Sequence, residues 1–177
     1  MGDITIRELH PDDWEEFREM RLQALKEFEC FYAGTYQEAL AYTNTYWQDT
    51  LSGEDKAAFG LFSGDVMIGI TAVFTWREDP SKRTGFMAMS YIVPQQRGQG
   101  LSALLYEARL SFARDYLSWT KLVISHHEDN HISKRAIQKH GFIPISTKEV
   151  MWGDGRTAID YEYELDLEVL RQKNATL

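Results

Sequence analysis

The residues with the clearest chemistry form a short turn with two glycines, Gln95-Gln96-Arg97-Gly98-Gln99-Gly100. A strand-like apolar run precedes this turn and a helical pattern follows it, so the turn leads into the amino-terminal end of a helix. The free N–H groups and the positive dipole at such an end bind anions, phosphate above all. Glycines 98 and 100 allow a ligand to approach the backbone closely, and Arg97 adds a positive charge. The turn therefore predicts a phosphate-binding site.

The glycine turn is of neither common nucleotide-binding type. The chain has no G-x-x-x-x-G-K-[ST] motif of the Walker type, and no G-x-G-x-x-G motif followed by an acidic ribose ligand. These absences argue against the phosphates of ATP and NAD. A turn that only connects a strand to a helix is the structural alternative.

The elements around the turn predict a mixed α/β fold. Helical spacing of apolar residues covers 11–30, 38–51, 101–112 and 130–140. Strand patterns cover 4–7, 57–62, 66–76, 85–93, 122–124, 148–152 and 157–167. We therefore expect one mostly antiparallel, mixed sheet of about seven strands with about four helices. The sequence predicts a single domain over 1–177, with about the last ten residues as a candidate tail.

Composition and charge exclude several classes of protein. The 177 residues suffice for one domain, and 44% hydrophobic and 26% charged residues are ordinary for a globular chain. A net charge of −8 argues against a general basic surface for nucleic acid. The single cysteine, Cys30, excludes an internal disulfide and a cysteine-based metal site. With no signal peptide and no apolar run approaching ~18 residues, we expect a cytoplasmic protein without a metal or a membrane or nucleic-acid partner.

Two segments together resemble the GNAT superfamily of acetyl-CoA-dependent N-acetyltransferases. Gln95, Gly98 and Gly100 match the pyrophosphate-binding pattern Q/R-x-x-G-x-G/A of that family. Asn130 starts a helix that ends in Gly141-Phe142, as in the N-x-x-A/S…G-F segment of the family, with Ser133 at the small-residue position. The Ile4-Thr5-Ile6-Arg7 strand and the helices that follow it also resemble family members, so the likeness spans nearly the whole chain.

The resemblance implies a site for acetyl-CoA as cosubstrate between two splayed strands. Its pyrophosphate would lie on the turn, its pantetheine would pair with the third strand of the meander, and its thiol end would lie near the Asn130 helix. A backbone N–H near Ile92 would stabilise the oxyanion. The cofactor-binding residues implied are Tyr91, Ile92, Val93, Arg97, Gly98, Gln99, Gly100, Leu101, Ser102, Asn130 and Ser133.

The catalytic groups depart from the family pattern at two places. Residues 86–90 offer no carboxylate as a base, and His126 is the best-placed substitute, with a solvated loop histidine as the alternative. The tyrosine that protonates the departing thiolate in many relatives is Ile137 here. Tyr163 on the last strand is a possible replacement donor, although an aromatic residue there also fits the core.

The acceptor is the least determined part of the site. The aromatic residues Phe31, Tyr32 and Tyr36 lie in the connection that overhangs the acceptor in the family, and they form either a pocket or loop packing. The acidic residues that alternate along the last strand could attract a cationic amine, but a solvated strand face explains them more simply; they are Asp160, Glu162, Glu164 and Asp166.

The chain is thus expected to move an acetyl group from acetyl-CoA to a primary amine by direct attack on the thioester. The acceptor could be a small amine, an amino acid, an antibiotic or a protein N-terminus. The alternative is a GNAT-fold module that binds an acyl-CoA for regulation or assembly with little catalysis, and a weaker alternative is a binder of some other phosphate ligand. The resemblance also makes a homodimer an expectation.

Overall fold

One seven-stranded sheet runs through the computed structural model, which describes residues 2–174. Its strand order is β1-β2-β3-β4-β5-β7-β6, and every neighbouring pair is antiparallel except β4 and β5, which are parallel. This is the predicted mixed sheet. The strands are β1 (Ile4–Glu8), β2 (Lys56–Ser63), β3 (Val66–Thr75), β4 (Thr84–Ile92), β5 (Lys121–His127), β6 (Ile143–Met151) and β7 (Thr157–Asp166).

Six α-helices lie within the described residues, where about four were predicted. They are α1 (Trp14–Glu27), α2 (Tyr36–Leu40), α3 (Asn44–Thr50), α4 (Ser102–Asp115), α5 (His131–Lys139) and α6 (Leu167–Asn174). None of the six, over residues 2–174, is long and apolar enough to cross a membrane.

Two differences from the sequence prediction account for the extra helices. The helix expected over 38–51 is divided, because the Thr43 side chain accepts a hydrogen bond from the Tyr46 amide and so starts α3 anew. The candidate tail forms α6 up to Asn174, while residues 175–177 lie outside the described residues. Leu167 is fully buried against the α4 side of the sheet, which explains why this segment is ordered as a helix.

The helices cover the sheet on two faces. Helix α1 packs Phe17 and Ala24 against Ile70 of β3, as its apolar spacing predicts. On the opposite face, Leu110 of α4 and Trp119 pack against the centre of the sheet. The face beneath α1 is called the α1 face below, and the opposite one the α4 face.

Strands β4 and β5 separate halfway along their length. Their pairing ends at Met87 and Ile124, although β4 continues to Ile92 and β5 to His127. Opposite Thr71, the register of β3 and β4 shifts and Met89 adopts a left-handed φ of 60°. Such a bulge bends a strand and turns its backbone groups. The predicted splay is therefore present, and the opening between the two strands is called the cleft.

Candidate active site

The glycine turn lies between the end of β4 and the start of α4. A short 3-10 turn, Pro94–Gln96, precedes it, and both Gly98 and Gly100 have a φ of 77°, which favours glycine. A Cβ atom added at either glycine would meet nothing within 4 Å, so the backbone is open to a ligand there. No side chain caps the first turn of α4. In the described chain, the amides of residues 98–101 donate no turn or loop hydrogen bond, so this helix end can hold an anion.

Arg97 points away from the open side of the turn. Its Nε donates to the Ile92 carbonyl over 2.7 Å, and its Nη1 lies 2.8 Å from a carboxylate oxygen of Glu27. The guanidinium also lies over the rings of Phe28 and Tyr91. Burial alone would raise the pKa of Glu27, but hydrogen bonds from Arg97 and Tyr91 hold it below its usual value. Arg97 therefore fastens the turn to α1, a contact that the sequence did not predict.

Two carbonyls of β4 beside the cleft already accept hydrogen bonds from other protein groups. The Ile92 carbonyl accepts from the Arg97 Nε over 2.7 Å, and the Ser90 carbonyl accepts from the Tyr32 hydroxyl over 2.8 Å. The Val93 amide instead bonds toward β3, where it donates to the Ile68 carbonyl over 2.9 Å. Each of the two carbonyls keeps a second lone pair for a ligand.

The β5 edge brings the two predicted catalytic side chains together. His126 is 4% exposed, and its Nε2 lies 3.2 Å from the Tyr163 hydroxyl. Its Nδ1 lies 2.7 Å from the His127 carbonyl, which can only accept, so Nδ1 carries the proton and Tyr163 donates to Nε2. Burial lowers the pKa of His126 and raises the pKa of Tyr163. Both groups are neutral at physiological pH, and the solvated-loop alternative for His126 is wrong.

Asn130 and Ser133 begin the helix below this edge. The Asn130 side chain accepts a 3.1 Å hydrogen bond from the backbone amide of Ser133 and so caps α5. The backbone N–H of Asn130 donates to the His127 carbonyl. Ile137, on the same helix, is fully buried in one apolar cluster with Tyr163. Tyr163 of β7 therefore lies in the same buried cluster as Ile137, the residue that stands at the family's tyrosine position.

The aromatic connection between α1 and α2 spans the cleft on the α1 face. The Tyr32 hydroxyl donates to the Ser90 carbonyl of β4 over 2.8 Å, and the Phe31 ring lies 5.4 Å from the His127 ring of β5. The turn between β6 and β7 closes on the same connection, where the Gly153 amide donates to the Tyr32 carbonyl over 2.8 Å. Tyr36 lies farther along, with its ring 6.0 Å from the Lys26 ammonium of α1. Of the three aromatic residues predicted for the acceptor, two contact the cleft edges.

The acidic row on β7 divides into two buried and two more exposed residues. Asp160 and Glu162 are buried on the α1 face, so the solvated-face explanation is wrong for these two residues. Lys148 of β6 lies 2.7 Å from Glu162, and Ser146 also donates to that carboxylate. Burial raises the pKa of Asp160 to about 6. Within residues 2–174, no three His, Cys, Asp or Glu side chains are grouped so as to hold a metal ion.

The burial of Asp160 and Glu162 is the feature of this row that sequence reasoning missed. The alternation along β7 places Asp160 and Glu162 on one face of the sheet. Whether that face is exposed to solvent depends on the segments that pack against it. Here the cover comes from Phe31 and Trp152, whose rings flank His127, the cross-strand partner of Asp160. Contacts between segments so far apart in sequence cannot be predicted from the local residue pattern.

Comparison with known proteins agrees with this geometry. The family model described as acetyltransferase (GNAT) domain matches residues 3–143. A GNAT-family acetyltransferase from Streptococcus pneumoniae is 18% identical, covers 93% of this chain and 99% of its own, and has a TM-score of 0.76. An N-acetyltransferase from Staphylococcus aureus Mu50 is also 18% identical, with coverages of 94% and 99% and a TM-score of 0.72.

A third similar structure contains the cosubstrate. This is yncA from Salmonella typhimurium, solved with acetyl-CoA, which is 17% identical, with coverages of 94% and 95% and a TM-score of 0.72. A search of curated protein sequences found no match to the chain. The family model covers most of the sequence. The chain therefore belongs to the GNAT acetyltransferase family.

Proposed function

We propose that this protein transfers the acetyl group of acetyl-CoA to a primary amine by direct attack of the amine on the thioester. The observation that carries the proposal is the cleft itself, which opens between two parallel strands beside a glycine turn whose amides, among the described residues, donate no turn or loop hydrogen bond. Acetyl-CoA supplies the activated acetyl group. The acceptor is a small amine, an amino acid, an antibiotic or a protein N-terminus.

The residues of the turn fit the pyrophosphate of acetyl-CoA. Glycines 98 and 100 leave room within 4 Å where a side chain would stand, and the first turn of α4 has no protein cap. Gln99, Leu101 and Ser102 contribute further backbone to this helix end. We assign Arg97 to holding the turn in place rather than to contacting phosphate, because its guanidinium is bound to Glu27 and Ile92.

On the α4 face, we assign Tyr163 to the departing thiolate. Its raised pKa keeps the hydroxyl protonated, and rotation about one bond would redirect that proton from His126 toward the sulfur. Tyr163 belongs to the same buried cluster as Ile137, which supports this role. Its hydroxyl would replace that of the family's tyrosine, whose position Ile137 occupies here.

His126 remains a candidate base, but its geometry favours a positioning role. Both ring nitrogens have protein partners within 3.2 Å, so the ring could take a proton from the amine only after Tyr163 moved away. We propose that His126 holds the Tyr163 hydroxyl in place. A backbone N–H near Ile92 and the Met89 bulge is the proposed donor to the oxyanion.

A module that binds acyl-CoA with little catalysis is the second candidate, supported by Ile137 and by the lack of a carboxylate on β4 within residues 84–92. The test is a thermal-shift titration with CoA and acetyl-CoA, followed by thiol release with a panel of primary amines. A shift in the unfolding midpoint with amine-dependent thiol release is expected for the enzyme. A shift with release no faster than without amine would favour the binding module.

A further inference from the structure

Asp160 is a buried carboxylate with an unpartnered oxygen. The residue is 5% exposed, and its Oδ1 has no hydrogen-bond partner. Buried polar atoms are nearly always paired, and leaving one unpaired costs stability. An oxygen of this kind therefore points to a ligand that is cationic or donates a hydrogen bond.

The charged groups around Asp160 are already engaged with each other. Lys148, its neighbour on β6, lies 2.7 Å from Glu162 and 3.2 Å from Glu78. Glu162 also accepts from Ser146. The one nearby ammonium is therefore shared by two other carboxylates. Asp160 is left as the acidic group on this face that could take an external cation.

Asp160 also lies beside the cleft on the side of the aromatic connection. Its cross-strand partner is His127, and His127 and Ser125 are the residues of β5 that face the same way beyond the end of the β4–β5 pairing. Ser125, on the same face of β5 as His127, favours the charged form of Asp160 and so opposes the rise in its pKa. Phe31 contacts His127 from above.

From this placement we propose that Asp160 and Ser125 bind the ammonium group of the acceptor and remove its proton. This inference rests on the proposed acetyl transfer and names its substrate class: aliphatic primary amines, which are cationic at neutral pH, rather than arylamines, which are neutral there. The two cosubstrates would then meet in the cleft from opposite faces of the sheet.

The proton balance of this step is simple. The ammonium gives one proton to the Ser125 oxygen while the Ser125 hydroxyl proton passes to Asp160, which becomes a neutral acid. The freed nitrogen lone pair forms the new C–N bond as the C–S bond breaks. The thiolate takes the Tyr163 hydroxyl proton, the second amine proton restores Tyr163, and Asp160 returns its proton to solvent.

Four titratable groups lie around Asp160. They are Glu162 on β7, its cross-strand partners Lys148 on β6 and His127 on β5, and Glu78 in the turn between β3 and β4. Burial and the two glutamates raise the pKa of Asp160 to about 6, while Ser125 and Lys148 oppose the rise. A carboxylate with this pKa is mostly ionised at neutral pH, yet it is a stronger base than an ordinary aspartate.

The experiment compares wild type with Asp160→Asn, Ser125→Ala and the matched control Glu164→Gln. Glu164 lies on the same strand and face as Asp160 but beside the paired part of β5, next to Val123. The probes are an alkylamine and an arylamine, with kcat/KM for thiol release measured from pH 5 to 9 and CoA affinity measured by thermal shift.

We expect Asp160→Asn to lower kcat/KM for the alkylamine by about 100-fold or more, the size of a general-base effect, and to remove the acid limb of the pH profile. CoA affinity and the Glu164→Gln profile should match wild type. The inference is overturned if Asp160→Asn keeps the alkylamine rate and the acid limb, or if the wild-type enzyme prefers the arylamine; the proposed acetyl transfer survives both results. No thiol release from wild type with any amine would instead defeat the proposed function itself, and this inference with it.

Discussion

The Tyr32 hydroxyl donates a 2.8 Å hydrogen bond to the Ser90 carbonyl, which joins the connection after α1 to the β4 edge of the cleft. Phe31, one residue earlier, contacts the other edge through the His127 ring. Two adjacent residues therefore bridge the two strands where those strands no longer pair with each other. This bridge lies across the cleft on the α1 face, the face that also carries Asp160.

Removing the Tyr32 hydroxyl should loosen this bridge without affecting the glycine turn. A single hydrogen bond contributes about 1 kcal/mol, so we expect Tyr32→Phe to raise the KM for the amine roughly fivefold. The KM for acetyl-CoA should stay unchanged. Steady-state kinetics with both substrates varied will measure this, and Tyr36→Phe is the control because Tyr36 packs toward Lys26 of α1. Equal effects of the two variants would contradict the assignment.

Valine substitutions at Gly98 and at a control glycine should distinguish a loss of CoA binding from a loss of stability caused by backbone strain. Gly98→Val places a branched side chain in the open space that the pyrophosphate is proposed to use, at a φ of 77°. We expect CoA binding to fall at least tenfold and stability to fall by about 1–2 kcal/mol. Gly64→Val is the matched control, since Gly64 in the β2–β3 turn has a φ of 60° and equally open surroundings. If calorimetric titration gives Gly98→Val the same CoA affinity as wild type, the glycine turn does not bind the pyrophosphate.

Loss of the Tyr163 hydroxyl should affect both stability and the chemical step. Tyr163→Phe leaves the buried Nε2 of His126 without its partner, which costs about 1–3 kcal/mol. If the hydroxyl serves the thiolate, kcat will fall while CoA affinity is unchanged. Tyr161→Phe is the control, because Tyr161 stacks on His126 through its ring. Denaturant unfolding and pre-steady-state thiol release will give the two readouts, and a full-rate Tyr163→Phe enzyme would exclude the role.

Asp160 should make the fold less stable as pH rises. Because its pKa is raised to about 6 in the folded chain, the neutral acid is favoured there, and this stabilisation is lost as pH rises from about 3.9, the unfolded value, through 6. After allowance for solvent screening, Asp160→Asn should raise the free energy of unfolding at pH 7.5 by about 1–2 kcal/mol. The gain should vanish near pH 4. Urea unfolding at both pH values measures it, and a variant less stable than wild type at pH 7.5 would contradict the burial argument.

The sequence was sufficient for features that depend on neighbouring residues. The strand and the helix on either side of the glycine turn, the helix capped by Asn130 and the apolar face of α1 follow from local periodicity and capping. Contacts between distant segments could not be predicted in this way. Arg97 looks like a phosphate ligand in the sequence, yet its guanidinium forms an ion pair with Glu27, seventy residues away along the chain. Asp160 looks solvent-exposed, because nothing near it in sequence shows that the aromatic connection and Trp152 cover its surroundings.

The most direct test of the account is to identify the reaction product. Wild-type protein is incubated with acetyl-CoA and an alkylamine, and the amine is analysed by mass spectrometry beside a sample without protein. Acetyl transfer predicts that an acetyl group replaces one hydrogen of the amine, a gain of C2H2O, as CoA is released. Release of CoA with acetate and an unmodified amine, or protein that binds CoA and leaves acetyl-CoA intact, would contradict it.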